Sequence, residues 1–402
     1  MDRFELITSL RMASDSRIAF LVLDGLGGLE RDGKTELETA RTPRMDELAR
    51  RSDTGMMIPV LRGITPGSGP GHLALFGYDP LRYIIGRGIL SALGVNFPVQ
   101  DGDLTARVNF ATLDEGGNVA DRRAGRIPDE TNRAMCEKIR KISLPGVEFF
   151  LETEKEHRAA LILRGRELSD RLTETDPQKT GVPPHQVEPT GQDQASRETA
   201  ELMNRFLDEV RGVLRQEHPA NFVLLRGWAL YQQIPTFEEV YGLHACANAG
   251  YPMYRGLARL AGMEVLEVES GVESQFAMLR EAWKSYDFHF VHIKYTDSAG
   301  EDGDFDRKVS VIEEVDRHLD AVLDLDPGVL VITTDHSTPA RFRAHSWHPT
   351  PVLIHSPWCR TSSQVRQFSE RELLKGSLGI MQAVDLMTLV MAHAGRLNKF
   401  GA

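Results

Sequence analysis

Three largely apolar segments of this chain are each followed by side chains that bind metals, and this repeated arrangement constrains the fold more than any other feature. Uninterrupted apolar runs of about six residues are typical of strands that are buried on both faces, as in a parallel sheet. The three runs and the residues that follow them are 18–23 with Asp24, 288–293 with Asp297 and Glu301, and 328–334 with Asp335 and His336.

Strand-like and helix-like segments alternate around these runs, which favours an α/β fold with a mostly parallel sheet and helices on both faces. The carboxyl ends of parallel strands meet at one edge of a sheet, where proteins of this class bind ligands. We therefore expect the acidic and histidine side chains after the three runs to lie close together.

The middle of the chain has a different texture, with a pair of strands, a long amphipathic helix over residues 196–214 and a loop rich in Pro, Gly, Gln and Thr over residues 175–193. We predict that residues 101–217 form a smaller inserted α/β domain. Residues 1–100 and 218–402 would then form the larger domain.

A loop rich in glycine and proline presents Ser68, with Pro66, Gly67 and Gly69 beside it. The apolar run at residues 73–76 predicts a buried helix directly behind this loop. A serine at the amino end of a helix lies where a phosphate or another anion is favoured. A simple connector in which Ser68 caps the helix is the alternative.

Carboxylates and imidazoles in this mixture suit two divalent cations, such as Mn²⁺, Mg²⁺ or Zn²⁺. A further cluster at residues 341–348, which includes His345 and His348, can fold over the same edge of the sheet. Taken one at a time, Asp24 and Asp335 could be helix caps and the histidines surface residues. Three carboxylate-bearing strand ends together favour the metal site.

Charge and composition exclude several classes of protein. The formal net charge of −11 argues against a general nucleic-acid binder, which needs a basic face. Cys136, Cys246 and Cys359 are widely spaced and predict reduced thiols in a cytoplasmic protein. No apolar run approaches the length of a membrane span, so no membrane partner is expected. The sequence sets no oligomeric state.

Six ordered motifs over residues 18–389 resemble those of the archaeal-type cofactor-independent phosphoglycerate mutases, which belong to the alkaline phosphatase superfamily. The resemblance implies an alkaline-phosphatase-like core and a function in glycolysis and gluconeogenesis. The motifs are Asp-Gly-Leu-Gly-Gly at 24–28, the segment 66–80 around Ser68, Gly-Arg-Gly at 86–88, Asn-Phe-Ala-Thr at 109–112, Asp-Arg-Arg-Ala-Gly-Arg-Ile at 121–127 and Thr-Asp-His-Ser-Thr-Pro at 334–339.

The resemblance also implies a serine nucleophile, Ser68, that becomes phosphorylated between two metal ions, without 2,3-bisphosphoglycerate as a cofactor. Glu301 stands where the family pattern commonly has histidine, and this harder ligand favours Mn²⁺ or Mg²⁺ over Zn²⁺ or Co²⁺. The implied ligands are Asp24, Ser68, Asp335 and His336 for one metal, and Asp297, Glu301 and His345 for the other.

A mutase must hold its small phosphorylated substrate while the phosphoryl group moves from one hydroxyl to the other, and forked arginine donors suit that task. The expected activity is interconversion of 2-phosphoglycerate and 3-phosphoglycerate. A phosphomonoester hydrolase, a phosphotransferase acting on another small alcohol and an inactive ligand sensor are the alternatives. The candidate substrate-binding residues are Arg122, Arg123 and Arg126 in the inserted domain, and Arg226 and Lys294 from the core; for Arg123 and Arg226, plain surface charge is an equal alternative.

Overall fold

The computed structural model describes residues 1–401 and divides into two compact units. The first unit consists of residues 1–84, 235–251 and 261–402, and the second of residues 85–234 and 252–260. The segment predicted as an insertion, residues 101–217, falls inside the second unit.

Strands and helices alternate along most of the chain. The strands are β1 (Ile18–Leu23), β2 (Asp53–Ile58), β3 (Leu104–Leu113), β4 (Val119–Asp121), β5 (Val147–Lys155), β6 (Arg158–Gly165), β7 (Phe222–Leu230), β8 (Ala245–Ala249), β9 (Glu264–Val265), β10 (Phe288–Ile293), β11 (Val329–Thr333), β12 (Thr350–His355) and β13 (Gly379–Gln382). The helices are α1 (Arg3–Leu10), α2 (Glu36–Thr39), α3 (Pro43–Arg50), α4 (Ser68–Leu75), α5 (Arg87–Gly94), α6 (Asp129–Ile139), α7 (Gln194–Leu214), α8 (Phe237–Tyr241), α9 (Pro252–Leu260), α10 (Val272–Ala282), α11 (Tyr295–Asp302), α12 (Phe305–His318), α13 (Asp320–Leu323), α14 (Glu370–Leu373) and α15 (Leu386–His393), with short 3₁₀ turns at Ala124–Arg126 and Ala383–Asp385.

The first unit contains an eight-stranded sheet in the order β13-β2-β12-β11-β1-β10-β8-β9. Strand β12 is antiparallel to both of its neighbours, and the other pairs are parallel. Because Val22 is in register with Thr333 and Leu23 with Ile293, the three central strands end at the same edge. The predicted mostly parallel sheet is confirmed.

Helices cover both faces of this sheet. On one face, Leu21 of β1 packs in a core with Phe276 of α10 and Ile312 of α12. On the other face, the ring of Phe76, which follows α4, lies 6.4 Å from Phe20 and 5.0 Å from Phe290. Alternate residues of β1 thus pack into two layers, as its wholly apolar sequence requires.

The second unit has an antiparallel sheet of five strands, in the order β4-β3-β6-β5 with β7 also paired to β3. Helix α7 packs on it through apolar residues at helical spacing, including Met203, Phe206 and Val210. Asp193 caps this helix by accepting a hydrogen bond from the Ser196 N–H at 2.8 Å. The predicted strand pair and long helix are both confirmed.

Two apolar runs differ in length from the strands that they form. The run at residues 264–268 contributes only Glu264–Val265 to the sheet, and the run at 221–225 belongs to a strand that continues to Leu230. Strand β2 has only a weak strand pattern, because its sequence Asp-Thr-Gly-Met-Met-Ile carries a glycine and few β-branched residues. Within residues 1–401, no helix is long and apolar enough to span a membrane.

Candidate metal centre and arginine cluster

Ser68 is the first residue of α4, and its backbone is held close to the edge of the sheet. Gly67 is the N-cap residue and no side chain caps the helix, so the alternative in which Ser68 is the cap is wrong. At Gly71, an added Cβ would lie 2.5 Å from the Asp335 carbonyl oxygen, so only glycine allows this approach. The Ser68 hydroxyl lies 3.1 Å from His336 Nε2.

Three carboxylates gather at this edge and are fully buried: Asp24, Asp297 and Asp335. Each follows a parallel strand, as the sequence predicted. His336 Nε2 lies 3.3 Å from Asp24 Oδ1 and 3.1 Å from Asp335 Oδ2. Asp24, Asp335 and His336 therefore offer three ligand atoms within 4.8 Å of one another.

A second group of ligand atoms forms around Asp297 in the first turn of α11. His345 Nε2 lies 3.6 Å from Asp297 Oδ1 and 3.9 Å from Glu301 Oε1. Glu301 reaches the same place because residues four apart share one face of a helix. The rings of His336 and His345 stack with their centroids 3.6 Å apart, which brings the two groups together.

The donor set fits divalent metal ions. Asp24 Oδ1 is buried and accepts no hydrogen bond, and the buried Asp335 Oδ2 has only the imidazoles of His72 and His336 beside it, each with a ring nitrogen 3.1 Å away. A buried carboxylate oxygen without a partner is costly, and a bound cation removes that cost. Carboxylates and neutral imidazoles are ligands that Mn²⁺, Mg²⁺ and Zn²⁺ accept.

Cationic side chains partly offset the charge of these carboxylates. Lys294 Nζ donates to Asp24 Oδ2 at 3.3 Å and forms an ion pair with Asp297. Burial by itself would raise the pKa of Asp24, but Lys294, with His292 and His336, holds it well below its ordinary value. Glu301 differs, because burial and then the nearby Asp297 raise its pKa.

Lys308 was missed by the sequence analysis although it organises the loops of this centre. Its side chain is fully buried, and Nζ donates to the carbonyl oxygens of Gly25 at 2.8 Å, Gly27 at 3.0 Å and Thr338 at 2.8 Å. The available signal was a lysine on the apolar stripe of α12, three and four residues before Val311 and Ile312.

In the second unit, two of the four arginines proposed to bind substrate are paired with acidic residues. Arg122 donates from Nε and Nη2 to the two oxygens of the buried Asp176, at 2.8 and 2.7 Å. Arg226 Nε donates to Glu174 at 3.1 Å. Arg123 and Arg126 are exposed.

Further basic residues, which the sequence analysis missed, join them. Arg107 of β3 lies directly across the sheet from Arg226, and its Nε is buried without a hydrogen-bond partner. Burial and then Arg87 and Arg158 lower the pKa of Arg107 to about 10. Burial and the surrounding arginines also lower the pKa of His157 to about 4. We refer to Arg87, Arg107, Arg123, Arg126, Arg158 and Arg226 as the arginine cluster.

Comparison with known proteins shows extensive similarity along the whole chain. The family model described as 2,3-bisphosphoglycerate-independent phosphoglycerate mutase matches residues 49–221. A relative from Thermus thermophilus, named "Probable 2,3-bisphosphoglycerate-independent phosphoglycerate mutase", is 49% identical over 409 residues and covers 100% of both chains. A relative of the same name from Thermotoga neapolitana is 50% identical over 406 residues, again with 100% of both chains covered.

Solved structures show the same similarity. A protein from Pyrococcus horikoshii is 30% identical with a TM-score of 0.83, and the match covers 97% of this chain and 100% of that one. The cofactor-independent phosphoglycerate mutase of Thermoplasma acidophilum is 31% identical with a TM-score of 0.69, over 94% of this chain and 100% of that one. The chain therefore belongs to the family of 2,3-bisphosphoglycerate-independent phosphoglycerate mutases.

Proposed function

We propose that this protein interconverts 2-phosphoglycerate and 3-phosphoglycerate through a phosphoserine at Ser68, without 2,3-bisphosphoglycerate. One observation carries the proposal: the Ser68 hydroxyl lies 3.1 Å from His336 Nε2, at a sheet edge that carries three buried carboxylates. Membership of the mutase family supplies the substrate class, a small phosphorylated acid.

The ligand atoms divide into two sets. Bound divalent cations, with Mn²⁺ or Mg²⁺ expected, would lower the pKa of the serine hydroxyl and offset the charge of the phosphoryl oxygens. We assign Asp24, Ser68, Asp335 and His336 to one cation, and Asp297, Glu301 and His345 to the other.

The tautomer of His336 supports its role as a ligand. Thr338 Oγ1 donates its proton to Asp297 Oδ1 at 2.6 Å and therefore accepts at its other side, where His336 Nδ1 lies 3.0 Å away. The Nδ1 proton of His336 is then used in this bond, and the lone pair of Nε2 points toward Ser68 and Asp335. Such an arrangement is the usual way in which a protein orients a metal-binding histidine.

The amino end of α4 and the arginines bind the anionic parts of the substrate in this proposal. The first N–H groups of α4 have no partner inside the helix and favour a phosphoryl group next to Ser68. Arg122, Arg123, Arg126 and Arg226 bind the carboxylate or phosphate of the glycerate, and Arg107 adds a donor that has no protein partner at Nε. Lys294 contributes a further positive charge beside Asp24.

The test replaces Ser68 with alanine. Without a nucleophile, Ser68→Ala should lose at least about 10³-fold in 2-phosphoglycerate formation from 3-phosphoglycerate. After mixing with substrate, the wild-type protein should also yield a peptide phosphorylated at Ser68. Ser310→Ala on the exposed face of α12 is the matched control and should retain full activity. Unaltered turnover in Ser68→Ala would remove Ser68 from the mechanism.

A further inference from the structure

A separate group of metal-type ligands lies away from Ser68 in the first unit. Asp53, Cys359 and His393 each offer one ligand atom, and the three atoms lie within 4.8 Å of one another. Asp53 is the first residue of β2, Cys359 follows β12, and His393 is the last residue of α15. Three distant segments of the chain thus bring a carboxylate, a thiol and an imidazole to one place.

This group lies at the opposite edge of the sheet from Asp24. Strand β12 is antiparallel to β11, and its last residue, His355, pairs with Leu330 near the start of β11. Asp53 in turn pairs with Ile354. The group is therefore separated from the carboxylates of the metal centre by the length of a strand, roughly 17 Å for five or six residues.

The distances and ligand types suit zinc. His393 Nε2 and Asp53 Oδ2 are 3.4 Å apart. Two ligands of a tetrahedral Zn²⁺, with bonds of about 2.0–2.1 Å, are separated by about 3.4 Å. A thiolate beside an imidazole also selects Zn²⁺ over the hard cations Mg²⁺ and Mn²⁺, which prefer oxygen ligands.

Neighbouring groups hold these side chains in the orientation that a metal needs. His393 Nδ1 lies 2.7 Å from Ser356 Oγ, a bond that uses this nitrogen and leaves Nε2 toward Asp53. The backbone N–H of Ser356 donates to Cys359 Sγ at 3.2 Å, and that of Arg360 donates to Asp53 Oδ1 at 3.1 Å. In the metal-free protein the Cys359 thiol donates to the Ile354 carbonyl oxygen at 3.1 Å, so binding of a metal by Cys359 would release this proton.

We propose that Asp53, Cys359 and His393 bind one Zn²⁺, with water at the fourth position. The side chains of Asp53 and His393 are only 8% and 11% exposed, so the ion would be shielded but still reachable from solvent. The ion would join the end of α15 and the segment after β12 to the first residue of β2. Its role is structural and does not depend on the mutase activity.

Cobalt provides a direct test, because a thiolate bound to Co²⁺ gives a charge-transfer absorption that oxygen and nitrogen ligands do not. The metal-free protein, titrated with Co²⁺, should develop this band until its intensity corresponds to one cobalt–thiolate bond per protein, and should lose it on addition of Zn²⁺. The Ser68 centre contains no cysteine and contributes nothing to the band. Cys359→Ser should abolish it, whereas Cys246→Ser should leave it intact. Cys246 is the matched control, because its Sγ lies 3.3 Å from His289 Nδ1 in another thiol–imidazole pair.

A second variant keeps the test decisive if Cys359→Ser does not fold. His393→Gln should raise the Co²⁺ concentration needed for half of the thiolate band at least about 10-fold and reduce the rise in Tm that Zn²⁺ gives the wild-type protein. Activity with Mn²⁺ should remain within about twofold of wild type, since these residues lie far from Ser68. The proposal is overturned if excess Co²⁺ gives the wild-type protein no thiolate band, or if the full band persists in folded Cys359→Ser.

Discussion

The candidate metal centre of the first unit and the arginine cluster of the second each contain several charges of one sign, but these charges are compensated in different ways. In the metal centre, Lys294 and nearby histidines stay close to the carboxylates and keep the pKa of Asp24 low. In the arginine cluster, Arg226 donates to Glu174, as the neighbouring Arg122 does to Asp176. Arg107 has no hydrogen-bond partner at Nε, and its pKa is lowered.

The carboxylates near Ser68 therefore lack part of the positive charge that would balance them, and the arginines lack part of the negative charge. Buried like charges are costly, and proteins retain them where a ligand of opposite charge will bind. A buried carboxylate oxygen without a partner, such as Asp24 Oδ1, indicates a small cation, whereas a guanidinium N–H without a partner, such as Arg107 Nε, indicates a carboxylate or phosphate. The comparison predicts that removing one charge weakens ligand binding in either cluster but relieves repulsion in the ligand-free protein.

The largest effect is expected for Asp335→Asn, which keeps the side-chain volume but removes a buried charge. Activity should fall about 10³-fold, roughly 4 kcal/mol of transition-state stabilisation, because a ligand next to Ser68 is lost. Steady-state kinetics and calorimetric titration with Mn²⁺ measure the change. Asp306→Asn, at an exposed ion pair with Arg31, is the control and should behave as wild type. Activity within tenfold of wild type would remove Asp335 from the metal centre.

The second largest effect is expected for Arg107→Met. We expect KM to rise about 10- to 100-fold, since a donor to the anionic substrate is lost. The free energy of unfolding without substrate should rise by about 1–2 kcal/mol, because burial and the neighbouring Arg87 and Arg158 disfavour the charge of Arg107. Kinetics and urea unfolding are measured side by side, with the exposed Arg197→Met as control. A variant that is less stable and binds substrate normally would show that Arg107 is structural.

The third effect is a loss of folding stability at low pH, which we attribute to His157. Burial and the arginines lower its pKa to about 4 from the ordinary 6.5, so the unfolded chain binds more protons between these values. The free energy of unfolding is therefore highest above pH 6.5 and decreases as the pH falls toward 4. At pH 5 it should be about 2 kcal/mol lower than at pH 7. Urea unfolding at pH 7 and pH 5 should show this loss in wild type and a smaller one in His157→Gln. Equal losses in both proteins would contradict the assignment.

The smallest effect is expected for Glu301→His. Glu301 is the exposed member of its ligand group, and imidazole replaces carboxylate without removing a ligand. Activity should change by less than about tenfold, while the ratio of activity with Zn²⁺ or Co²⁺ to that with Mn²⁺ rises. Activity assays across the four metals measure this ratio, and an unchanged ratio would show that Glu301 does not contact the metal.

The sequence predicted the grouping of the three carboxylates better than that of the arginines, for a physical reason. Asp24, Asp297 and Asp335 each follow a buried parallel strand, and the rule that such strands end at one edge needs no knowledge of the rest of the fold. The role of Lys308 was not predicted, because its carbonyl partners lie in loops that only tertiary packing brings together.

The position of Arg107 beside the other arginines was not predicted, for a similar reason. It lies in the middle of a strand, and its cross-strand neighbour Arg226 follows more than a hundred residues later in the chain. Antiparallel register depends on pairing partners that the sequence does not name. The sequence analysis does not identify the short strands β2, β12 and β13, because β2 and β13 contain a glycine and few β-branched residues, and β12 contains a proline.

One measurement tests the central claim most directly. The purified protein is incubated with 3-phosphoglycerate and Mn²⁺, and 2-phosphoglycerate, detected through coupled enolase, is followed together with free phosphate. We predict that 2-phosphoglycerate forms with little free phosphate and that Ser68→Ala forms neither. Free phosphate as the sole product would make the protein a phosphomonoester hydrolase, and neither product with Mn²⁺, Mg²⁺, Zn²⁺ or Co²⁺ would contradict the proposed mutase activity.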